Sequence, residues 1–115
     1  MRLLEAIAAG DGDALSSLLA DDVVFHSPVQ TYRGRDQAVL LLATVGTIIE
    51  DVEATREIDG VTFFAAMVEE HPVDGVLVED DDAAGHVAEI TLMLRPLAQL
   101  QAAVARMTRA LTRDA

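Results

Sequence analysis

Between Asp21 and Asp36 the chain reads DDVVFHSPVQTYRGRD. Val23, Val24 and Phe25 predict a short apolar strand, which Pro28 confines to a sheet edge or closes. A polar loop then leads to Gly34 at the mouth of a helix. Two short helices are expected before this stretch. Leu3, Leu4, Ile7 and Ala8 recur at helical spacing over residues 2–9, and the pattern stops at Gly10. Asp11 or Asp13 can cap a second helix whose apolar face is Leu15, Leu18 and Leu19, with Asp21 and Asp22 ending it.

After Gly34 the pattern predicts a helix from Asp36 to Ile49, apolar on most sides at Ala38–Ala43 and therefore buried. Gly46 inside it is expected to pack closely on a strand. From Asp51 the period changes to two: Val52, Ala54, Arg56 and Ile58 alternate with Glu53, Thr55, Glu57 and Asp59, so one face is wet. Asp59-Gly60 signals a hairpin. Val61–Val68 follows as a strand apolar on both faces. Pro72 and Asp74-Gly75 mark a turn, Val76–Glu79 a strand, Asp80–Gly85 a turn, and Val87–Arg95 another doubly apolar strand. Pro96 suits the first position of a helix, whose stripe is Leu97, Leu100, Val104, Met107 and Leu111. Arg106, Arg109 and Arg113 lie near its C-terminal end, where the helix dipole favours cations. The order α-α-β-α-β-β-β-β-α describes one α+β domain over residues 1–115, built on an antiparallel sheet.

Strands apolar on both faces need two partners. One face is expected to pack on the helices and line a cavity. The other, assigned Thr62, Phe64, Ala66 and Val68 with Ile90, Leu92 and Leu94, would be exposed in a monomer, which predicts a homodimer through the outer sheet face.

Composition excludes several functions. The 115 residues carry 20 acidic side chains against 8 arginines and no lysine, a net charge of −12, so no basic stripe exists to neutralise phosphates or an anionic membrane. Without cysteine, neither disulfides nor thiolate chemistry can enter. Apolar runs fall short of the ~18 residues a membrane span requires, and the N-terminus is broken by acid and glycine before a signal-peptide core could form. A cytoplasmic protein is expected. Arginine without lysine, beside abundant Ala, Asp and Val, is the expected mark of a GC-rich, actinobacterial genome. His26, His71 and His86 lack zinc-type spacing, and Glu79–Asp82 lacks the spaced ligands of a calcium loop, so neither a metal nor a cofactor is expected.

In this order of elements, the segments AAGDGDALSSLLADDVVFHSPV (Ala8–Val29), YRGRDQAV (Tyr32–Val39), the Val61–Glu79 hairpin region and GHVAEITLMLRPL (Gly85–Leu97) resemble the SnoaL-like, polyketide-cyclase-like group of the nuclear-transport-factor-two-like superfamily. The resemblance implies a cystatin-like fold, in which a curved antiparallel sheet wraps around helices to form a cone-shaped pocket. It also implies where acid–base residues would stand, and this chain lacks them. The isomerase-like general base falls on Ser27, and the oxyanion tyrosine of the first helix falls on Leu3. The cyclase-like last-strand pair falls on Ile90 and Leu92. The epoxide-hydrolase-like central strand is the uncharged Val61–Val68, with its last-strand acid near Leu92.

The polar candidates that remain are few. His26, at the end of the first strand, has a side chain suited to proton transfer near neutral pH and is the catalytic candidate. Tyr32 can donate a hydrogen bond to a ligand carbonyl or cover the pocket mouth. Glu69, Glu89 and Arg95 stand on strands expected to border the cavity, Arg95 as an anchor to a carboxylate. Phe25, Phe63, Met67, Leu77 and Met93 are the expected apolar lining, the methionines suiting an adaptable cavity. The reading is a dimeric domain that binds a small hydrophobic molecule. Its alternatives are an isomerase, cyclase or epoxide-hydrolase-type enzyme using His26 with Tyr32 or Glu69, and a non-catalytic interaction module whose cavity is filled by its own side chains.

Overall fold

Asp11 accepts a hydrogen bond from the Ala14 amide at 3.1 Å and so starts the second helix, as its position before an apolar run predicts. The computed structural model describes residues 2–113. Helices α1 (Arg2–Ala9) and α2 (Gly12–Leu18) lead into β1 (Leu19–His26), β2 (Thr31–Arg33) and α3 (Arg35–Gly46). The meander β3 (Glu50–Ile58), β4 (Val61–Val68), β5 (His71–Asp81) and β6 (Val87–Arg95) follows, and α4 (Leu97–Arg113) closes the order. The six strands form one sheet in the order β2-β1-β6-β5-β4-β3. Every neighbouring pair is antiparallel except β1 and β6, which run parallel. This is the expected α+β architecture, with β2 added at an edge.

Several boundaries move for identifiable reasons. Asp21 and Asp22 do not end α2: the helix stops at Leu18, and both aspartates project from β1 into solvent. β2 covers β1, so β1 is not an edge strand, and Pro28 instead closes it into the 27–30 turn. The expected wet-and-dry alternation of β3 is absent. Only its Val52 is even partly buried, because β3 is the outer strand of the meander, and its charges suit an edge that must not pair further.

The hairpin at Asp59-Gly60 is present, with both residues at positive φ and Ile58 paired to Val61. The turn expected at Pro72 and Asp74-Gly75 is not. The chain reverses two residues earlier, at Glu69-Glu70, where φ is 50° and 66° and Val68 pairs with His71. Pro72 is tolerated in β5 because it lies beyond Asp74, the last residue paired to β6. Gly75 is a packing residue: it faces Phe64 across the ladder, and a Cβ there would fall within the buried Phe64 ring. Gly46 also marks a close approach, but against the Ile7 carbonyl at the end of α1 rather than a strand.

The faces of the meander are the reverse of those expected. Thr62, Phe64, Ala66 and Val68, with Ile90 and Leu92, point inward and are buried under the helices. Phe63 and Met93 stand on the outer face, 41% and 55% exposed, with Met67 half-buried beside them. Alternation fixes which residues share a face. It does not say which face meets the helices when both are apolar.

Replacing Gly75 with Ala forces a side chain into space that the immobile Phe64 ring occupies. Urea denaturation is expected to show a loss of about 2 kcal/mol, in the range of core overpacking. Unchanged stability would mean that Phe64 is free to leave Gly75.

Candidate functional site

Between the concave face of the sheet and helices α3 and α4 lies a cavity of about 260 Å³. Phe25, Leu92 and Leu94 form its floor. Leu41 and Val45 of α3, with Ile48 and Ile49 after it, form one wall. Leu100, Ala103, Val104, Met107 and Leu111 of α4 form the roof, so most of the stripe read from the sequence covers a cavity; Leu97 is 66% exposed and takes no part. The mouth is the β1–β2 turn, Ser27–Gln30. Among the described residues, none of the lining bears a carboxylate, an imidazole or a cation.

The mouth is built by local hydrogen bonds. The Ser27 amide and hydroxyl donate to the Gln30 carbonyl at 2.9 and 2.8 Å, and the Gln30 amide donates back to Ser27 Oγ at 3.1 Å. Ser27 is therefore engaged in turn structure, and a hydroxyl is no base near neutral pH. Tyr32 pairs with Phe25 across β1 and β2, their ring centroids 6.1 Å apart. Its hydroxyl accepts a hydrogen bond from Gln30 Nε2 at 2.8 Å.

Of the residues singled out in the sequence, Phe25 and Tyr32 line this cavity. Leu77 is fully buried in the core beside it. Phe63 and Met93 line a separate groove on the outer face. Met67 is on that face too, and Glu69 sits exposed in the β4–β5 turn.

His26 is placed on the outer face, because Phe25 beside it takes the inward position. There it clamps three strands. Nε2 donates to Glu89 on β6 at 2.6 Å, and Nδ1 meets the Thr31 hydroxyl on β2 at 2.8 Å. Arg95 reaches a carboxylate, Asp74 on β5, at 3.0 Å with both groups exposed. Asp82, in the acidic turn, accepts from the Ala84 and His86 amides. The lining from α3 and α4 was absent from the sequence reading. Its signal was the α4 stripe, which looks the same whether it covers a core or a cavity.

The SnoaL-like domain model matches residues 1–110 of this chain. The chain belongs to the SnoaL-like family. Among solved structures, this SnoaL-like chain is similar to an uncharacterised bacterial protein with a cystatin-like fold from Silicibacter pomeroyi (TM-score 0.92, 27% identity, covering 98% of this chain and 84% of that one). It is similar to a steroid delta-isomerase from Pseudomonas aeruginosa (TM-score 0.88, 31% identity, covering 96% and 86%). An NTF2-like protein of unknown function from Cytophaga hutchinsonii shares the fold at 9% identity (TM-score 0.67, covering 86% and 88%). No curated protein matches the chain significantly. The likeness to the Cytophaga hutchinsonii protein is one of fold alone. Among the described residues, no helix of this SnoaL-like domain is long and apolar enough to cross a membrane.

At the opposite end of the sheet, Glu79 projects inward, and among the described residues its buried Oε2 has no hydrogen-bond partner. Burial raises its pKa above the ordinary 4.5, the charges of Asp81 and Glu57 add to this, and Arg2 partly offsets it. A raised pKa means that the folded state holds this proton more tightly than the unfolded chain. Its stabilising contribution is full below about pH 4.5 and is lost as pH rises through the folded value. Glu79→Gln removes that titration. The variant is expected to gain stability over the parent protein at pH 7 and little or none at pH 4, read by urea denaturation at both. A variant less stable at pH 7 would contradict this account.

Proposed function

We propose that this SnoaL-like domain binds a small, uncharged hydrophobic molecule in the cavity under α4, without acid–base catalysis by the cavity wall. The observation that carries the reading is the lining itself: an open, mostly apolar cavity in which none of the described residues is a carboxylate, an imidazole or a cation. The positions where the family resemblance would put acid–base groups support it. Ile90 and Leu92 face inward as hydrocarbons, and Ser27 is tied into the mouth turn. An isomerase-type reaction is the alternative, supported by the likeness to the Pseudomonas aeruginosa protein. The His26–Glu89 pair that would serve it lies across the sheet from the cavity.

A cavity of 150 Å³ admits benzene, so 260 Å³ suits about ten non-hydrogen atoms, the size of a bicyclic aromatic or a monoterpenoid. Thermal shift against steroids, polyketide-like aromatics, terpenoids and fatty acids tests this. A ligand at 100 times its dissociation constant adds about 2.7 kcal/mol of stability. Compact neutral compounds are expected to raise the melting temperature by several degrees, and Ala103→Phe, which fills the roof, to abolish the shift. No shift with any class, or a shift that survives Ala103→Phe, would sink the reading.

The outer sheet face supports a homodimer as the working form. Phe63 and Met93 are exposed there among half-buried Val61, Ala65, Met67, Val76 and Val78. The rim carries both signs, in the pairs His26–Glu89 and Arg95–Asp74. A second copy related by a two-fold axis can match such a rim, whereas a partner of one dominant charge would be repelled by half of it. Sedimentation equilibrium at micromolar concentration is expected to give twice the 12.3 kDa chain mass, and Phe63→Glu with Met93→Glu the single mass. A parent protein that sediments at the single mass excludes the dimer.

A further inference from the structure

Among the described residues, Tyr32 is the one titratable side chain in the cavity lining. Its ring is half-buried against Phe25, and β2 holds it in register. Its hydroxyl oxygen accepts from Gln30 Nε2 at 2.8 Å, and among the described residues this is its only hydrogen bond. A phenol that accepts through its oxygen still has its own proton to give, and the donor behind it strengthens that proton as a donor. Turning the Gln30 amide over does not remove the feature. The phenol then donates to Oε1, and the amide NH2 becomes the free donor. In both arrangements the pair offers a hydrogen-bond donor at the mouth of an apolar cavity.

The Gln30 backbone is fixed to Ser27 by three hydrogen bonds of 2.8–3.1 Å, and its side-chain amide meets the Tyr32 hydroxyl at 2.8 Å. An acceptor brought to this point would complete a chain from the Gln30 amide through the Tyr32 hydroxyl to the ligand. Ligand charge can also be decided. A carboxylate would be stripped of water among leucines and valines, with no cation among the described lining residues, inside a chain of net charge −12. A pure hydrocarbon would leave this donor to solvent water and gain no hydrogen bond at the cavity mouth. A neutral carbonyl oxygen satisfies both constraints.

We propose that the Gln30–Tyr32 pair is the recognition point for the carbonyl oxygen of a compact neutral ketone or aldehyde of about ten non-hydrogen atoms, whose hydrocarbon body fills the cavity under α4. This rests on the apolar-cavity reading above and names the ligand class for it.

Matched compounds separate the two claims. The probes are 1-tetralone with tetralin, 1-indanone with indane, and camphor with camphane, titrated calorimetrically into the full chain. The ketones are expected to bind about tenfold more tightly than the hydrocarbons. Tyr32→Phe removes the hydroxyl and keeps the ring, so it should abolish that preference while leaving hydrocarbon affinity unchanged. Gln30→Leu should weaken the preference without removing it. The carbonyl stretch of bound 1-tetralone should lie at lower frequency in the parent protein than in Tyr32→Phe, a signature that a merely structural tyrosine would not produce. Equal binding of ketone and hydrocarbon, or a preference that survives Tyr32→Phe, overturns the carbonyl assignment and leaves the cavity reading standing. Failure of every probe to bind overturns both.

Discussion

The parallel pairing of β1 with β6 is the constraint on which the rest of the molecule depends. It joins the helical N-terminal third to the C-terminal meander across a separation of 65 residues, with Phe25 beside Ile90 and His26 beside Thr91. The pairing is irregular: five steps of β1 from Leu19 to Val24 are matched by two steps of β6 from Val87 to Glu89. The surplus residues bulge toward α3, where Arg35 meets Asp21 at 2.7 Å and the Gly34 amide donates to the Val23 carbonyl. Beyond the bulge the register is set, and Phe25 faces the helices. A slip of one residue would put His26 into the cavity and the Phe25 ring into water.

From that register the site follows. Phe25 inward carries Tyr32 inward, because the two are cross-strand partners. The turn between them then opens over the gap left between α3 and α4. The charged groups stand elsewhere: Arg95 with Asp74, Arg35 with Asp21 and His26 with Glu89 are all pairs with substantial solvent access. Such pairs contribute little stability each. They orient strands and leave the interior to hydrocarbon. Glu79 is the exception, an inward carboxyl group whose pKa burial raises above the ordinary 4.5.

Much of this was legible in residues with one local meaning. Asp11 before an apolar run, Asp59-Gly60 between two strands and Pro96 before the last helix each do what their chemistry predicts. The segments that misled carry signals with two meanings. Asp74-Gly75 looks like a turn, but its glycine makes room for Phe64, and the reversal falls on two glutamates with no turn preference of their own. The ladder of β4 against β5 places that reversal, and a ladder joins residues that no local window contains.

The candidate site divides in the same way. The sequence by itself determined the element order, the family resemblance, the absence of thiol chemistry and the apolar character of Val61–Val68. It also determined which residues of each strand share a face, since side-chain alternation is a property of the extended backbone. Only the tertiary structure decided which face is inside. Val61–Val68 is apolar on both sides, so burial energy along the strand is nearly indifferent to the choice, and the helices make it. That choice sent Phe63, Met67 and Met93 outward, while the register of β1 put His26 on the outer face against Glu89 and Tyr32 with Gln30 at the cavity mouth.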